Sequence, residues 1–433
     1  MTLKRIKLSW QLKLILRLER LALPLWRWAL GSRLKKGKET QISHDQKLML
    51  YLPAPQCALP QGTPLIWGHA VGVGEVLGLL GLFRRLSEHF PNFHFLLTST
   101  SRTSGEALER QQLPAHFHHQ FAPVDQPNIL ARFLDAWQPR LACWSETDLW
   151  PGMVVATRER GIPMFLFNAR LSAEKAVRIR KLDWFYQPLL RCFEKIYAQN
   201  LQSQEHLAAL KLDALLNQLT GNLKALAPAL SFEPQSLEAC QMMWKQRPIW
   251  LLASSHAGEE AIALQAHLLL RLTHADALLI IVPRDAFRGE AMGVLAREKG
   301  LSASLRSRSD GNEAICDVYI ADTMGELGLW YALSPVALIG GSLVPIGGHN
   351  PYEAIAAQCR VLCGSMIHNF SESYEELRAS GLVQTVSDAP SICQVVQAHW
   401  QMPRLPAHAN SSAVQLFDDI LQAISSRLTT SMR

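Results

Sequence analysis

The sequence has few charged residues and no apolar stretch that is long enough to cross a membrane. Charged residues make up 18% of the 433 residues and apolar residues 48%, a balance typical of folded globular proteins and not of disordered chains. A spanning helix needs about 20 uncharged residues, and the apolar core and cleavage site of a signal peptide are also missing. At about 100–200 residues per domain, the length predicts two or three domains.

Several common site motifs are absent as well. The cysteines form no CxxC pair and no Cys/His group with zinc spacing, so we expect reduced thiols at positions 57, 143, 192, 240, 316, 359, 363 and 393. No Walker A loop, serine nucleophile elbow or metal-ligand set occurs. A glycine-rich segment at 67–78 has GxGxxxG spacing, and the next predicted strand runs into Thr98-Ser99-Thr100 where an NAD site wants an acid. These absences argue against NAD binding, P-loop chemistry and a metal site.

The positive charge is concentrated in one segment. Residues 1–38 hold eleven Lys and Arg against the single acid Glu19, a balance of +10, so the remainder of a chain with net charge +6 carries −4. Leu, Ile and Trp alternate with these cations, a composition that suits an amphipathic segment at an anionic membrane surface. A helix packed on the protein body is the alternative. Nucleic acid is a third reading, and no aromatic-and-basic pattern beyond the arm supports it.

From about residue 45 short apolar runs alternate with helical stretches, as in parallel α/β sheets. The predicted strands are 65–67, 93–98, 141–144, 164–167, 195–198 and one ending near Thr220, then 249–253, 277–282, 303–305, 318–320, 336–340 and 360–363. The predicted helices include 75–89, 103–111, 128–137, 153–160 and 411–424, with a loose tail after Ser425. The repeated rhythm predicts two doubly wound domains with a cleft between them.

We divide the chain accordingly. The predicted segments are a basic membrane-associating arm (1–40), an N-terminal acceptor-binding domain (41–224), a proline-bearing linker (225–248), a C-terminal nucleotide-sugar domain (249–405), and a C-terminal helix with its tail (406–433). In open α/β sheets, ligands bind beyond the carboxyl ends of the strands. The site residues are therefore expected in the loops that follow strands.

The most informative of these loops is Gly340–Glu353. It reads as a strand end, a glycine-rich loop and a helix opening Asn350-Pro351-Tyr352-Glu353, with Asn350 as N-cap and Pro351 in the first turn. Unpaired amides at such a position suit a phosphate, and Glu353 could accept hydrogen bonds from ribose hydroxyls. A plain capped helix is the alternative.

Other strand ends also carry polar residues. Glu75 opens a helix after the first glycine-rich segment, where it could remove a proton from a bound hydroxyl or simply compensate the helix N-terminus. Ser145-Glu146-Thr147-Asp148 offers two acids at a strand end, and either Thr147 or Asp148 is expected to serve simply as the N-cap of the following helix. Arg170, Lys224 and Arg284 add cations, and the loops at 254–260 and 321–327 add amides and acids.

Taken together, these segments closely resemble the 3-deoxy-D-manno-octulosonate (Kdo) transferases of lipopolysaccharide assembly. The resemblance covers residues 65–385 in order, through HAVGVGE (69–75), SETDLWP (145–151), FNARLS (167–172), TGNLK (220–224), SHAGEE (255–260), VPR (282–284), DTMGELGLWYA (322–332) and GGSLVPIGGHNPYEA (340–354). It implies a GT-B fold of two Rossmann-like domains facing across a cleft. It also implies CMP-Kdo as donor, a phosphorylated lipid A precursor as acceptor, no metal cofactor, and a place on the cytoplasmic face of the bacterial inner membrane.

The resemblance also assigns roles to residues. Glu75 matches the general base, and Glu146 and Lys224 match positions that support the transition state. The positions that match CMP-binding segments are Pro283, Arg284, Met324, Gly325, Glu326, Asn350, Pro351, Tyr352 and Glu353. Two positions depart from the family pattern, since Gly72 stands where Ser is usual and Asp285 where His is usual.

Two other functions remain open. One is a GT-B enzyme that uses a different nucleotide sugar, which competition by CMP against UDP would distinguish. The other is a peripheral membrane adaptor with a degenerate site, against which the acids Glu75, Glu146, Glu326 and Glu353 argue.

Overall fold

The computed structural model describes residues 8–50, 62–245, 247–308, 311, 313–406 and 410–431. The chain folds into two compact units. Unit 1 contains residues 1–227 and 412–433, and unit 2 contains residues 228–411. Cys57 lies outside the described residues, and the cysteines within them are free thiols, as expected.

Unit 1 begins with α1 (Trp10–Glu19) and α2 (Leu23–Lys35), the helices of the basic arm, which are followed by α3 (Gln41–Lys47). Ser9 caps α1 and Thr40 caps α3 through side-chain oxygens that accept backbone N–H groups. Leu12 and Leu30 are buried in the main core, so the arm packs on the protein body. Among the helices of the described residues, none is long and apolar enough to span a bilayer.

The sheet of unit 1 is parallel, in the order β3-β2-β1-β4-β5-β6. Its strands are β1 (Leu65–His69), β2 (His94–Ser99), β3 (Phe117–Phe121), β4 (Leu141–Ser145), β5 (Met164–Ala169) and β6 (Lys195–Ala198). The helices that follow are α4 (Val73–His89), α5 (Arg102–Glu109), α6 (Pro127–Trp137), α7 (Pro151–Glu159), α8 (Ala173–Lys181), α9 (Asp183–Leu190) and α10 (Leu201–Ala208).

Alternate residues of each strand enter different cores. In β4, Ala142 and Trp144 join the core under the arm, whereas Leu141 and Cys143 face the opposite core. This two-residue period buries both faces of the sheet, as parallel sheets require.

Unit 2 has the same architecture, with parallel strands in the order β13-β12-β11-β7-β8-β10-β9. They are β7 (Ile249–Ser255), β8 (Leu278–Pro283), β9 (Ala303–Leu305), β10 (Val318–Ile320), β11 (Val336–Ile339), β12 (Arg360–Cys363) and β13 (Val383–Thr385). The helices are α11 (Pro234–Trp244), α12 (Glu259–Arg271), α13 (Gly289–Glu298), α14 (Leu327–Leu333), α15 (Tyr352–Ala356), α16 (Ser371–Ala379) and α17 (Ala389–Trp400); α18 (Ser411–Ser431) returns to unit 1.

Some elements differ from the sequence-based expectations. The strand expected to end near Thr220 is reduced to one isolated parallel bridge between Ile196 and Leu216, and short 3-10 helices at 213–215 and 223–226 lie on either side of it. The tail after Ser425 is not loose, since α18 continues to Ser431. Helix α11 forms within the segment 225–248 that the sequence suggests as a linker, and its Trp244 packs on Tyr319 in unit 2.

Candidate active site

The polar residues of unit 1 converge where the strand order of its sheet reverses. Strand β1 lies between β2, which follows it in the chain, and β4, which comes after a crossover. Loops that leave the carboxyl ends of β1 and β4 therefore diverge to opposite faces and leave room for a ligand. Glu75 follows β1 and Glu146 follows β4, so both carboxylates come from this point of the sheet.

Glu75 is held at the start of α4 by its own loop. Gly72 is the N-cap residue, and its backbone N–H donates a hydrogen bond to the Glu75 carboxylate. The side chain remains partly exposed, so the carboxylate is oriented by the loop and still accessible. Gly72 itself has ordinary extended backbone, but a Cβ atom there would lie 2.6 Å from Oε2 of Glu75. Glycine therefore allows the carboxylate to fold back onto the loop.

The pKa of Glu146 is affected by the charges of Glu75 and of three nearby cations. The backbone of Glu146 is left-handed, with φ 66°, and its N–H donates to the Phe167 carbonyl at 2.8 Å. Burial raises the pKa of the Glu146 carboxyl, and the negative charge of Glu75 raises it further. The cations Lys224, Lys175 and Arg170 oppose this rise in pKa. Glu75, Glu146 and Lys224 are thus brought within interaction range of one another.

Lys224 is positioned by a buried amide network. The Asn168 side chain accepts from the Leu223 N–H at 2.7 Å and donates to Asn222, which in turn accepts from the Lys224 N–H at 3.0 Å. The short 3-10 helix that carries Lys224 packs directly against α4 at glycine positions. A Cβ atom at Gly81 would lie 1.7 Å from the Leu226 carbonyl oxygen, so no side chain fits there. The lysine stem crosses Gly74, one residue before Glu75.

The capping role expected of Thr147 or Asp148 was wrong. The N-cap residue of α7 is Trp150, whose side chain makes no cap hydrogen bond. Asp125 from a different loop accepts the free amides of Gly152 and Met153 at 2.8 and 2.6 Å. Burial raises the pKa of Asp125 to about 6 despite those two hydrogen bonds. Nothing in the local sequence around Asp125 indicates this long-range partner.

In unit 2 the strand order reverses between β7 and β11, and the loops after these strands are joined by one buried acid. The Glu259 carboxylate accepts backbone hydrogen bonds from His256, Gly341, Ser342 and Leu343, at 2.8–3.1 Å. The amides of Gly347 and Gly348 donate to the Gly341 carbonyl. These five amides of the glycine-rich loop are therefore already paired within unit 2. The phosphate site expected where the loop runs into the helix at Asn350-Pro351-Tyr352-Glu353 stays a prediction.

The side chains around this loop include an exposed arginine, a glutamate and a pair of histidines. Arg284 is exposed after β8 and lies close enough to affect the pKa values of His349 and Glu353. Burial, His256 and Arg284 lower the pKa of His349 to about 4, and His349 lies 2.8 Å from His256, Nε2 to Nε2. Burial raises the pKa of Glu353, although the hydrogen bond from the Asn350 amide and the charge of Arg284 act to lower it. Arg284 is an exposed cation that can contact an anionic ligand.

Several predicted donor-binding residues have structural partners. Glu326 makes a two-point ion pair with Arg306, at 2.8 and 3.2 Å, and also accepts from the Thr323 hydroxyl. Burial favours a higher pKa for Glu326, but these hydrogen bonds outweigh it and hold the pKa below its ordinary value. Met324 is 75% exposed beside Gly325, whose φ is 91°. This turn can present backbone amides, while its acid is already paired.

The Asn-Pro-Tyr-Glu segment starts its helix one residue later than expected. Pro351 is the N-cap residue of α15, and the Asn350 side chain accepts from the Tyr352 N–H at 3.1 Å. Tyr352 is buried and its hydroxyl donates to Glu376. Pro283 is the buried last residue of β8. The Tyr352 side chain is therefore packed within unit 2, and the donor-binding roles of Tyr352 and Pro283 stay predictions.

The two departures from the family pattern have local explanations. Gly72 allows the hydrogen bond to Glu75, as above. Asp285 accepts from the Phe287 N–H at 3.1 Å and caps the short helix 286–288. Within the described residues, no group of three or more His, Cys, Asp or Glu is arranged to hold a metal ion.

The comparisons with known proteins agree with this architecture. Residues 42–227 match the family described as Glycos_transf_N, 3-Deoxy-D-manno-octulosonic-acid transferase (kdotransferase). The chain is similar to the 3-deoxy-D-manno-octulosonic acid transferase of Haemophilus influenzae, with 33% identity covering 79% of this chain and 80% of that protein. A probable mitochondrial 3-deoxy-D-manno-octulosonic acid transferase of Arabidopsis thaliana is 30% identical, covering 87% and 85%.

Among solved structures, the UDP-GlcNAc 2-epimerase of Neisseria meningitidis is similar with a TM-score of 0.54, covering 83% of this chain and all of that chain. Its sequence is 12% identical, so the likeness concerns the fold. It confirms the predicted α/β class and GT-B fold with two parallel sheets.

Proposed function

Because the chain belongs to the 3-deoxy-D-manno-octulosonic acid (Kdo) transferase family and is a glycosyltransferase, we propose that it transfers Kdo from CMP-Kdo to the phosphorylated disaccharide precursor of lipid A. Unit 1 supplies the base and unit 2 binds the nucleotide. The observation that carries the proposal is the placement of the accessible Glu75 carboxylate beside Glu146 and Lys224 at the reversal point of the sheet.

The transfer reaction requires a base that removes the proton of the attacking acceptor hydroxyl. Glu75 removes the proton of the attacking sugar hydroxyl, whose oxygen forms a bond to the anomeric carbon of Kdo as the bond from that carbon to the CMP phosphate breaks. Attack opposite the leaving group inverts the anomeric centre. The transition state has oxocarbenium character, as in glycoside hydrolysis, and the charged groups around Glu146 are positioned to stabilise the charge that develops.

The CMP leaving group departs with a negatively charged phosphate, which a nearby cation can stabilise. CMP carries one phosphate, and the exposed Arg284 beside Glu353 and His349 can form charge-assisted hydrogen bonds with it. The turn at Met324 and Gly325 adds backbone amides, and Asn350 and Glu353 add polar groups for the nucleotide. We propose that these residues suffice without a metal ion, which predicts that EDTA leaves transfer unchanged.

The decisive assay follows transfer from enzymatically generated CMP-Kdo to a tetraacylated lipid A precursor. General-base catalysis contributes about 10²–10⁴-fold, so Glu75→Gln should fold normally, retain protection against heat by CMP, and lose transfer by that factor. Asp148→Asn is the matched control, because Asp148 is an exposed acid near the same strand ends. Turnover of Glu75→Gln near the wild-type rate would remove Glu75 from the mechanism.

Competition tests the alternative donor. CMP should inhibit transfer and protect the protein against heat at concentrations where UDP does neither. Protection by UDP alone would indicate a GT-B enzyme that uses another nucleotide sugar. Protection by neither nucleotide, together with intact vesicle binding, would favour the adaptor reading.

We also propose that the arm holds the protein at the cytoplasmic face of the inner membrane, where the lipid acceptor is found. Helices α1 and α2 and the turn between them expose large apolar side chains, although Leu12 and Leu30 of the same helices are buried. The exposed side chains are Trp10 (70% exposed), Leu14, Leu18, Leu21 (76%), Leu25 and Trp28 (74%). Lys13, Arg17, Arg20 and Arg27 lie among them. Apolar side chains mixed with cations bind anionic bilayers by burial and charge together.

Point variants test the arm better than truncation, because Leu12 and Leu30 belong to the core and truncation would remove them together with the exposed side chains. Trp10→Ser, Leu21→Ser and Trp28→Ser combined should abolish flotation with vesicles that contain anionic lipid and leave the melting temperature nearly unchanged. Leu272→Ser removes an equally exposed apolar side chain from unit 2 and should not affect flotation. Equal flotation of the triple variant and the wild type would rule out the arm as the membrane contact.

A further inference from the structure

A chain of hydrogen bonds connects the basic arm to the loop that orients Glu75, and it begins at a buried ion pair. The Lys47 ammonium, on α3, donates to both carboxylate oxygens of Glu39, at 2.7 and 2.8 Å. Glu39 also accepts from Arg33 of α2 at 2.9 Å and from the Ser43 hydroxyl at 2.7 Å. Lys47 and Glu39 are nearly inaccessible to solvent. Such a pair is strongly destabilising to break, since one charge would remain buried alone.

The third hydrogen bond of the Lys47 ammonium connects α3 to a loop of the sheet in unit 1. It goes to the backbone carbonyl of Thr100 at 2.8 Å, in the loop after β2. All three N–H donors of the ammonium therefore have partners within 2.8 Å, and the position of Thr100 is fixed by a charged group. A neutral or shorter side chain at position 47 could not make both connections.

Thr100 and its neighbour Ser104 then contact the Glu75 loop. The Thr100 hydroxyl donates to the Val71 carbonyl at 3.3 Å, and the Ser104 hydroxyl donates to the same oxygen at 3.1 Å. That carbonyl belongs to the peptide unit whose N–H, on Gly72, donates to the Glu75 carboxylate. Two donors on the oxygen of this peptide fix its plane and polarise its N–H, which strengthens the bond at the other end.

We propose that Lys47, Thr100 and Ser104 are positioning residues for the catalytic base: they hold the Val71–Gly72 peptide in the orientation that aims the Glu75 carboxylate. This assignment rests on the proposed function for the identity of the base. It places a determinant of turnover on α3, directly after the arm and remote from the reacting atoms. Small misplacements of a catalytic group reduce turnover with little effect on substrate binding.

Isosteric changes at Thr100 test the proposal. Thr100→Val removes the hydroxyl and keeps the shape, so kcat should fall about 3- to 10-fold, the equivalent of one hydrogen bond, with KM for CMP-Kdo unchanged. Thr100→Ser retains the hydroxyl and should restore kcat. Thr103→Val is the matched control, because the Thr103 hydroxyl contacts Ser101 and not Val71. Lys47→Met should lower kcat at least as much as Thr100→Val, provided that its melting curve shows a folded protein.

A double mutant separates positioning from a general structural effect. Thr100→Val in the Glu75→Gln background should cause no further loss of transfer, because the residue that it positions is already inactive. Equal losses in the two backgrounds would overturn the proposal, as would equal kcat for Thr100→Val and Thr100→Ser.

Hydrogen exchange measures the same arrangement without relying on activity. In Thr100→Val and Ser104→Ala, the amides of segment 70–75 should exchange about 3- to 10-fold faster than in wild type, Thr100→Ser and Thr103→Val. If wild type transfers no Kdo, the proposed function fails, and this exchange pattern still decides whether the hydroxyls hold the loop. Unchanged exchange in the Val and Ala variants would overturn the proposal whatever the reaction.

Discussion

The two units place an acid in loops of similar sequence, HAVGVGE in unit 1 and SHAGEE in unit 2, yet the two carboxylates have opposite environments. Glu75 accepts one backbone N–H, remains partly exposed and has Glu146 and Lys224 nearby. Glu259 is fully buried and accepts four backbone N–H groups from two loops.

The difference identifies which acid can do chemistry. A carboxylate whose oxygens are all occupied by amides, and that solvent cannot reach, holds loops together and cannot take a proton from a substrate. A carboxylate with one orienting bond and an accessible oxygen can. Two loops of similar sequence therefore place acids with different roles. Glu259 in unit 2 connects the loops that follow two strands, whereas Glu75 in unit 1 is a candidate base.

Removing the charge at Glu259 should produce the largest loss of stability. In Glu259→Gln one carboxylate oxygen becomes an NH₂ group that faces backbone N–H donors, so at least two buried amides lose their partner. We expect a loss of about 2–4 kcal/mol in the free energy of unfolding, together with loss of protection by CMP. Urea denaturation and thermal melting measure both.

Glu290→Gln is the control for that change. Glu290 is exposed and paired only with surface arginines, so its replacement should alter stability by about 0.5 kcal/mol or less. If Glu259→Gln unfolds at the same urea concentration as Glu290→Gln, the carboxylate does not hold the loops together, and the contrast with Glu75 disappears.

Replacing Glu146 by Gln should increase the free energy of unfolding, by less than the loss expected for Glu259→Gln. Because the pKa of Glu146 is raised on folding, the folded protein retains a proton that the unfolded chain has released. Stability is therefore lost as pH rises from the ordinary glutamate pKa through the raised value. Glu146→Gln cannot ionise and should be more stable than wild type at pH 7, with the advantage gone near pH 4.

Denaturation curves at the two pH values test this prediction, with Asp148→Asn as the exposed neighbour. A Glu146→Gln variant that is less stable than wild type at pH 7 would mean that the charged form is favoured in the fold. It would also remove the electrostatic link to Glu75.

The smallest expected effect concerns Gly72. A methyl group there would lie 2.6 Å from the Glu75 carboxylate, and this flexible side-chain end can move away. Gly72→Ala should therefore cost little stability but lower kcat about 2- to 5-fold through loss of one orienting hydrogen bond. Gly31→Ala, in open space, is the control. An unchanged kcat in Gly72→Ala would show that turnover does not depend on that bond.

Much of the fold follows from local sequence. Buried strands such as β7 and β8 are continuous apolar runs flanked by loops, and both were predicted within one or two residues. Strand β3 was missed because its sequence, Phe-His-His-Gln-Phe, is polar. Gln120 within it is fully buried and accepts from Trp137, while its own amide contacts Met49. Partners distant in sequence make that strand possible.

The site shows the same limit. Motif order placed Glu75, Glu146 and Arg284 at strand ends, where the structure has them. The roles of the neighbouring groups depend on long-range contacts, such as Glu259 with the amides of 341–343, Glu326 with Arg306, and Asp125 with α7. Spacing along the chain contains no information about those partners.

Helix α18 has a consequence for the order of synthesis. It is translated after all of unit 2, yet its apolar side chains complete a core of unit 1: Ala413, Leu416, Phe417, Ile420, Ile424 and Leu428. On the ribosome, unit 2 can finish folding while unit 1 still exposes the surface that α18 will cover, although domains usually fold in the order in which they emerge. The unit that bears the candidate base is thus the later of the two to be completed, because its core stays open until α18 has been translated.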